Sequence, residues 1–314
     1  MNDLTKIQHD VIVIGAGPAG ISAAIWCADL GLRATLIEQG NEPGGQLELI
    51  HSPIENYPGL GVRDGAELKK RFIDSLERFD LEVLTGSAVT GVDTIERTVM
   101  LDSGKVLHAD ALFIATGVRR RTLGVPGESE FEGKGILASG AGEKESARGR
   151  RVVIIGGGDA AFENVLILRE YASHITLIHR GESFRARREF VDPVLDDRST
   201  EVLTNHTVTS IVGRHTVEGV TVKGLESENE RVIEADLVLI RIGVRPNSEL
   251  VAGQVEMDPE GYIVVDAEGR TNCPGIWGIG DVANPVSPTI ATAVGTGAAA
   301  AKSASKLINP RKSL

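Results

Sequence analysis

Short apolar runs alternate along this chain with longer stretches whose apolar residues recur at helical spacing, and the alternation occurs twice in the same order. The first run, Asp10–Ile14, is β-branched and leads directly into GAGPAG, Gly15–Gly20. A helical pattern then covers about Ile21 to Leu30, and a second run, Ala34–Ile37, ends in Glu38. The second series begins at Arg151–Ile155, passes through GGGDAA, Gly156–Ala161, and a helical pattern to about Tyr171, and ends in the run Ile175–Ile178. Near-continuous apolar runs predict strands covered on both faces, and helices between them predict parallel βαβ units. Each series continues through strand-like segments, Glu82 to Met100 and Val202 to Val222, expected to form meanders that cap the parallel sheets. Each closes on a long apolar strand, ADALFIATG from Ala109 to Gly117 and ADLVLIRIG from Ala235 to Gly243.

The glycine-rich turns carry the chemistry. Gly15 permits a tight turn, Gly17 lets backbone approach a pyrophosphate, and Gly20 lets helix pack on strand, while the helix N-terminus attracts the anion. Glu38 stands about twenty residues beyond the first glycine, where an acid accepts from ribose hydroxyls. The matching strand of the second series ends instead in His179 and Arg180, with Arg185, Arg187 and Arg188 close behind. Cationic groups there suit the 2′-phosphate of NADP; the alternative is a solvated basic face. The expected fold class is therefore α/β, two Rossmann-like dinucleotide-binding domains with the second inserted into the first. The first comprises residues 1–117 and 246–314 and the second residues 118–245, with a hinge at Val118–Pro126.

A chain of 314 residues is long enough for two cores. The excess of acidic over basic residues, 44 against 33, argues against nucleic acid as a partner. Met1 to Asp10 is polar and no apolar run reaches spanning length, so neither a signal peptide nor a membrane segment is expected and a cytoplasmic location is. Cys27 and Cys273, the two cysteines, stand in no metal-ligand spacing, and no metal site is expected.

Toward the end of the chain, the buried run Gly275-Ile-Trp-Gly-Ile-Gly-Asp281 aims an aspartate either at a ligand or into a turn. The last helix is expected to begin near Pro288 or Thr289, with the proline in its first turn. Its N–H groups either face a flavin's N1 and O2 or cap an ordinary packed helix.

Taken in order, GAGPAG, Gly44-Gly-Gln-Leu47, Glu55-Asn-Tyr-Pro-Gly59, Ala115-Thr-Gly117, GGGDAA, His179-Arg180 with Phe184-Arg-Ala186, and Gly280-Asp281 resemble the low-molecular-weight thioredoxin reductases over nearly the whole chain. The resemblance implies FAD in the discontinuous domain and NADPH, in preference to NADH, in the inserted one. For FAD it implies Gly15, Gly17, Pro18, Ala19 and Gly20, then Glu38 and Gln39. Gly45, Gln46, Leu47 and Asn56 follow, with Ala115, Thr116 and Gly117, and finally Gly280, Asp281, Thr289 and Ile290. For NADPH it implies Gly156, Gly158, Asp159 and Ala160, then His179, Arg180 and Arg185, then Ile242 and Gly243. It also implies a homodimer and a rotation of one domain against the other.

Members of that family deliver electrons to a Cys-x-x-Cys pair ahead of the second glycine turn, and the matching stretch here reads Ser139-Gly-Ala-Gly142. Thiol–disulfide exchange needs a thiolate and a resolving sulfur, which serine and glycine lack. The expectation is an FAD-dependent NAD(P)H oxidoreductase whose chemistry is borne by the flavin, with no catalytic side chain assigned. His51 reads most simply as a loop histidine. The acceptor class ranked first is a small carrier protein, ferredoxin or flavodoxin, steered by Arg119–Arg121 or Arg148–Arg151. The alternatives are direct reduction of a quinone, oxygen, another small molecule or an external disulfide, or a non-catalytic nucleotide-binding regulator.

Overall fold

The computed structural model describes residues 9–227 and 229–309; the polar lead before His9 lies outside them. The chain forms two compact units, one built from the segment ending at Arg119 and the segment from Arg245 onward, the other from Arg120–Val244.

The first unit begins with β1 (His9–Ile14), α1 (Pro18–Asp29), β2 (Ala34–Ile37), α2 (Gly65–Leu76), β3 (Glu82–Leu84), β4 (Val89–Asp93), β5 (Thr98–Leu101) and β6 (Val106–Ile114). Strands β3, β2, β1 and β6 lie side by side in that order, all parallel. Both faces of β1 and β2 are covered, which is why their sequences show no alternation. The expected meander divides: Glu82–Leu84 joins the parallel sheet against β2, and only β4 and β5 form an antiparallel hairpin, attached to the N-terminal half of β6. Short β-branched segments read alike in either pairing, and only the partner decides. Helix α2 is amphipathic and is closed by a capping exchange, Asp64 accepting from Glu67 N at 2.8 Å while Glu67 reaches back to Arg63 N at 3.1 Å.

After β7 (Val118–Arg120) the second unit repeats the plan with β8 (Arg151–Gly156), α3 (Asp159–Leu168), β9 (His174–Ile178), α4 (Arg188–Leu195) and β10 (Thr200–Leu203). It continues with β11 (His206–Gly213), β12 (Val217–Gly224), β13 (Glu230–Glu234) and β14 (Leu237–Arg241). The parallel order is β10-β9-β8-β14, so Thr200–Leu203 also belongs to the main sheet, and β11–β13 form a separate antiparallel sheet. The chain returns through β15 (Val244–Pro246), which pairs with β7, and then adds β16 (Ile276–Gly278) alongside β6 and ends in α5 (Ile290–Ile308).

Helices α1 and α5 pack at backbone distance because small residues line both. A Cβ on Gly297 would lie 2.3 Å from the Ala19 carbonyl oxygen, and Ser22 Oγ donates to Val294 O at 2.7 Å. Three helix ends depart from the sequence reading. Helix α1 starts at Pro18 rather than Ile21, because proline fits the first helical position. Helix α3 stops at Leu168, short of Tyr171, in a turn where Tyr171 N and Ala172 N both bond Leu168 O. In α5, Thr289 is the N-cap, its hydroxyl accepting from Thr292 N at 3.2 Å, so Pro288 stands outside the first turn it was expected to fill. No helix among the described residues is long and apolar enough to cross a membrane.

Candidate functional site

In the first unit, Gly15 takes φ +104°, and a Cβ there would lie 2.5 Å from the Ala115 carbonyl oxygen. Gly20 packs closer still, its missing Cβ 1.9 Å from Gly15 O. Around Gly17, the α1 N-cap, there is open space and no side-chain cap. The N–H groups of Gly17, Ala19 and Gly20 meet no acceptor among the described residues, as an anion cradle at a helix start requires. Glu38 sits beside the turn, Oε2 accepting from Ala16 N and Oε1 from Gly40 N, both at 2.8 Å. Each oxygen retains a lone pair for a hydroxyl.

Two further segments close on this turn. Gly44 N donates to Ala16 O at 2.7 Å, and a Cβ on Gly45 would lie 2.9 Å from Gly17 Cα. The loop is anchored from below by Lys69, a buried lysine that bonds Glu42 at 2.9 Å and Glu48 at 2.7 Å and whose stem fills the space where a Gly44 Cβ would be. Gly280, at φ +69°, stacks on Ala19 and donates to Thr296 Oγ1 at 3.0 Å. Asp281 follows in a 3₁₀ turn, half-buried, with no hydrogen-bond or ion-pair partner among the described residues, and burial raises its pKa. A desolvated carboxylate without a donor fits a ligand hydroxyl. The N–H groups of Ile290 and Ala291 at the α5 start likewise meet no acceptor among the described residues.

The remaining residues expected in this unit have distinct placements. Leu47 is a core side chain packed with Ile54, Val62 and Leu68, and Ile290 packs against that cluster. Gln46 donates to Val118 O at 2.6 Å. Thr116 and Asn247 clasp each other, Thr116 Oγ1 to Asn247 O at 2.6 Å and Asn247 Nδ2 to Thr116 O at 2.8 Å, fixing the Ala115-Thr-Gly117 corner. Gln39, Asn56 and His51 are exposed. Sequence reasoning missed Lys69, Thr296 and Asn247.

In the second unit, a Cβ on Gly156 would meet Arg241 O at 2.2 Å, Gly158 caps α3 in open space, and the N–H groups of Gly158, Asp159 and Ala160 meet no acceptor among the described residues. The His179 ring lies where a Gly157 Cβ would be and reaches Ser183 O at 3.0 Å, so it props the glycine turn against the following loop. Arg185 N donates to Gly157 O at 2.9 Å, which brings that loop to the turn. The Arg180, Arg185 and Arg188 side chains are exposed and unpaired among the described residues, whereas Arg187 is held by Asp159 and Glu189. Ile242 and Gly243, at φ +92°, follow the end of β14.

At the Ser139–Gly142 loop, Ser139 Oγ accepts from Gly142 N at 3.1 Å and Ser139 N donates to Glu143 at 2.7 Å. The serine hydroxyl is a turn-former here. Cys27 is fully buried and its thiol is pushed up to about 12 by burial, while Cys273 is half-buried with Sγ toward Thr94 O at 3.7 Å. Of the steering arginines, Arg150 is exposed and the other five are engaged internally, contrary to expectation. Arg119 is held by Asn247 and Glu249, Arg120 by Ala138 O, Arg121 by Val244 O, Arg148 by Glu145, and Arg151 by Glu234 and Asp236. No cluster of metal-ligating residues occurs among the described residues.

A family model for pyridine nucleotide-disulphide oxidoreductases matches residues 9–297. The chain is 34% identical over 305 residues to thioredoxin reductase of Listeria monocytogenes, covering 97% of this chain and 95% of that one. The crystal structure of Lactococcus lactis thioredoxin reductase superposes with a TM-score of 0.83 at 30% identity, over 96% of this chain and 99% of that one. That of T. acidophilum thioredoxin reductase gives 0.80 at 32% identity, over 95% and 98%.

Proposed function

The chain belongs to the pyridine nucleotide-disulphide oxidoreductase family, in the thioredoxin-reductase-like branch whose members use FAD and NADPH, and we propose that it passes electrons from NADPH to an acceptor outside its own thiols. The observation that carries this reading is the Ser139–Gly142 turn, in which a hydroxyl and a bare backbone stand where exchange chemistry needs two sulfurs. Cys27, buried and held protonated, does not replace them.

FAD, when bound, supplies two-electron chemistry at its ring; the residues of the chain bind, orient and polarise. The free N–H groups at Gly17, Ala19 and Gly20 take the pyrophosphate. Glu38 accepts from ribose, and Asp281 accepts from a hydroxyl of the linker. The Ile290 and Ala291 N–H groups, at the positive end of α5, would stabilise negative charge on a bound flavin. In the Arg120–Val244 unit the Gly158–Ala160 N–H groups take the nucleotide's diphosphate, and Arg180 and Arg185 take the 2′-phosphate that favours NADPH over NADH. The discontinuous unit is accordingly the FAD domain and the inserted unit the NADPH domain, in a homodimer.

Among acceptors, the pairing of Arg119, Arg148 and Arg151 with carboxylates offsets part of the cationic surface an acidic carrier would need, on a chain of net charge −11. That favours a small-molecule acceptor over ferredoxin or flavodoxin. The test is anaerobic addition of NADPH to the FAD-loaded protein. The flavin absorbance is expected to bleach and to return with a quinone or oxygen, but not with oxidised thioredoxin. Absence of bleaching removes NADPH as donor; turnover of thioredoxin at a useful rate overturns the reading of the Ser139 turn.

A further inference from the structure

Beside the Ser139 turn, two arginines far apart in sequence converge on one backbone oxygen. Arg241 Nη2 donates to Ala138 O at 3.2 Å and its Nη1 to Ile240 O at 2.8 Å, while Arg120 Nη1 donates to the same Ala138 oxygen. Each guanidinium carries several N–H donors, and among the described residues one from Arg120 and two from Arg241 meet protein acceptors. Neither side chain has a carboxylate within ion-pair distance among the described residues. By contrast, Arg151 lies between Glu234 and Asp236, and Arg187 between Asp159 and Glu189. The acid that both feel, Glu143, already accepts from Ser139 N.

Glu143 offsets the charge of the pair only in part. Burial lowers the Arg120 pKa and pushes that of Arg241 down to about 10, with the neighbouring Arg120 charge acting in the same direction. Two like charges sharing one acceptor repel, and an anion placed between them relieves both the repulsion and the unmade bonds. Their position is suited to a ligand. Arg241 ends β14 opposite Gly156 of β8, and the strand order β10-β9-β8-β14 reverses between those two strands, where open α/β sheets receive ligands. Arg120 is exposed and Arg241 half-buried, so the pair is open to solvent on one side.

We propose that Arg120 and Arg241 form an oxyanion-binding site in the inserted unit, beside the glycine turn and separate from Arg180 and Arg185, that takes a phosphate or carboxylate. The oxyanion belongs either to the pyridine nucleotide's diphosphate or to a separate acidic molecule. Only the first source rests on NADPH being the donor.

The test uses the FAD-loaded full chain with inorganic phosphate as probe, titrated by calorimetry, together with the KM for NADPH. The variants are R120Q, R241Q and the charge-retaining R241K, each checked for an unchanged thermal midpoint; glutamine still donates to Ala138 O. Losing a charge-assisted hydrogen bond is expected to weaken phosphate binding or raise the NADPH KM by about tenfold or more, with recovery in R241K. A raised KM with phosphate competing against NADPH identifies the nucleotide as the source; an unchanged KM with weakened phosphate binding identifies a separate acid. If neither glutamine variant moves either quantity, the site does not exist. Failure of NADPH to bleach the wild-type flavin overturns the donor assignment alone, because the phosphate titration needs no electron transfer.

Discussion

Gly17 and Gly20 belong to one turn, yet alanine at the two positions should have opposite consequences. A Cβ on Gly20 would lie 1.9 Å from the Gly15 carbonyl oxygen, well over an ångström short of the roughly 3.3 Å at which carbon and carbonyl oxygen touch. Both groups are backbone, so relief requires moving α1 off β1, at a cost of about 3 kcal/mol or more, the upper end for overpacking. A Cβ on Gly17 meets nothing within 4 Å, and φ there is −72°, a conformation alanine adopts freely. Gly17→Ala should therefore leave apoprotein stability unchanged or raise it by about 0.4–1 kcal/mol through the unfolded state. It places a methyl group where a pyrophosphate must approach backbone N–H groups, and losing one charge-assisted bond of about 1.5–3 kcal/mol weakens FAD by roughly 10-fold to 150-fold. The assay pairs thermal unfolding of the apoprotein with titration of FAD fluorescence quenching. A Gly17→Ala protein that binds FAD with wild-type affinity would refute the cradle, and a Gly20→Ala apoprotein of wild-type stability would refute the packing argument.

Asp281 has a raised native pKa, so the native state holds its proton more tightly than the unfolded chain and stability falls as pH rises through the aspartate range. Asp281→Asn should make the apoprotein more stable at neutral pH, with the gain vanishing below about pH 4, while FAD binds more weakly; unfolding midpoints across pH check this. Arg185→Ala should raise the KM for NADPH about tenfold or more and leave that for NADH nearly unchanged, read from steady-state kinetics with both donors. Under native conditions a thiol reagent should modify Cys273 and leave Cys27 unreacted until the protein unfolds, since Cys27 is 0% exposed and its thiol is held protonated.

Local rules made much of this molecule legible in advance. Uninterrupted β-branched runs, paired glycine turns and Glu38 determined the two βαβ units, because a strand buried on both faces and a turn that must approach a phosphate leave few residue choices. The count and spacing of cysteines likewise determined that no dithiol stands ahead of the second turn. Partnership was not legible. Glu82–Leu84 and the pair Val202–Leu203 read as parts of meanders and became edges of parallel sheets, since pairing direction depends on a neighbour distant in sequence. Lys69 belongs to no sequence motif, and the fold alone placed its stem under Gly44 and its charge between Glu42 and Glu48. Arginine runs read as free surface charge found internal acceptors, and Arg120 and Arg241 met at one carbonyl across about 120 residues of chain. Hydrophobic period and glycine geometry act over a few residues and are written in order along the chain. Which charge is paired, and which is left open, depends on desolvation and on contacts that exist only once the sheets have closed.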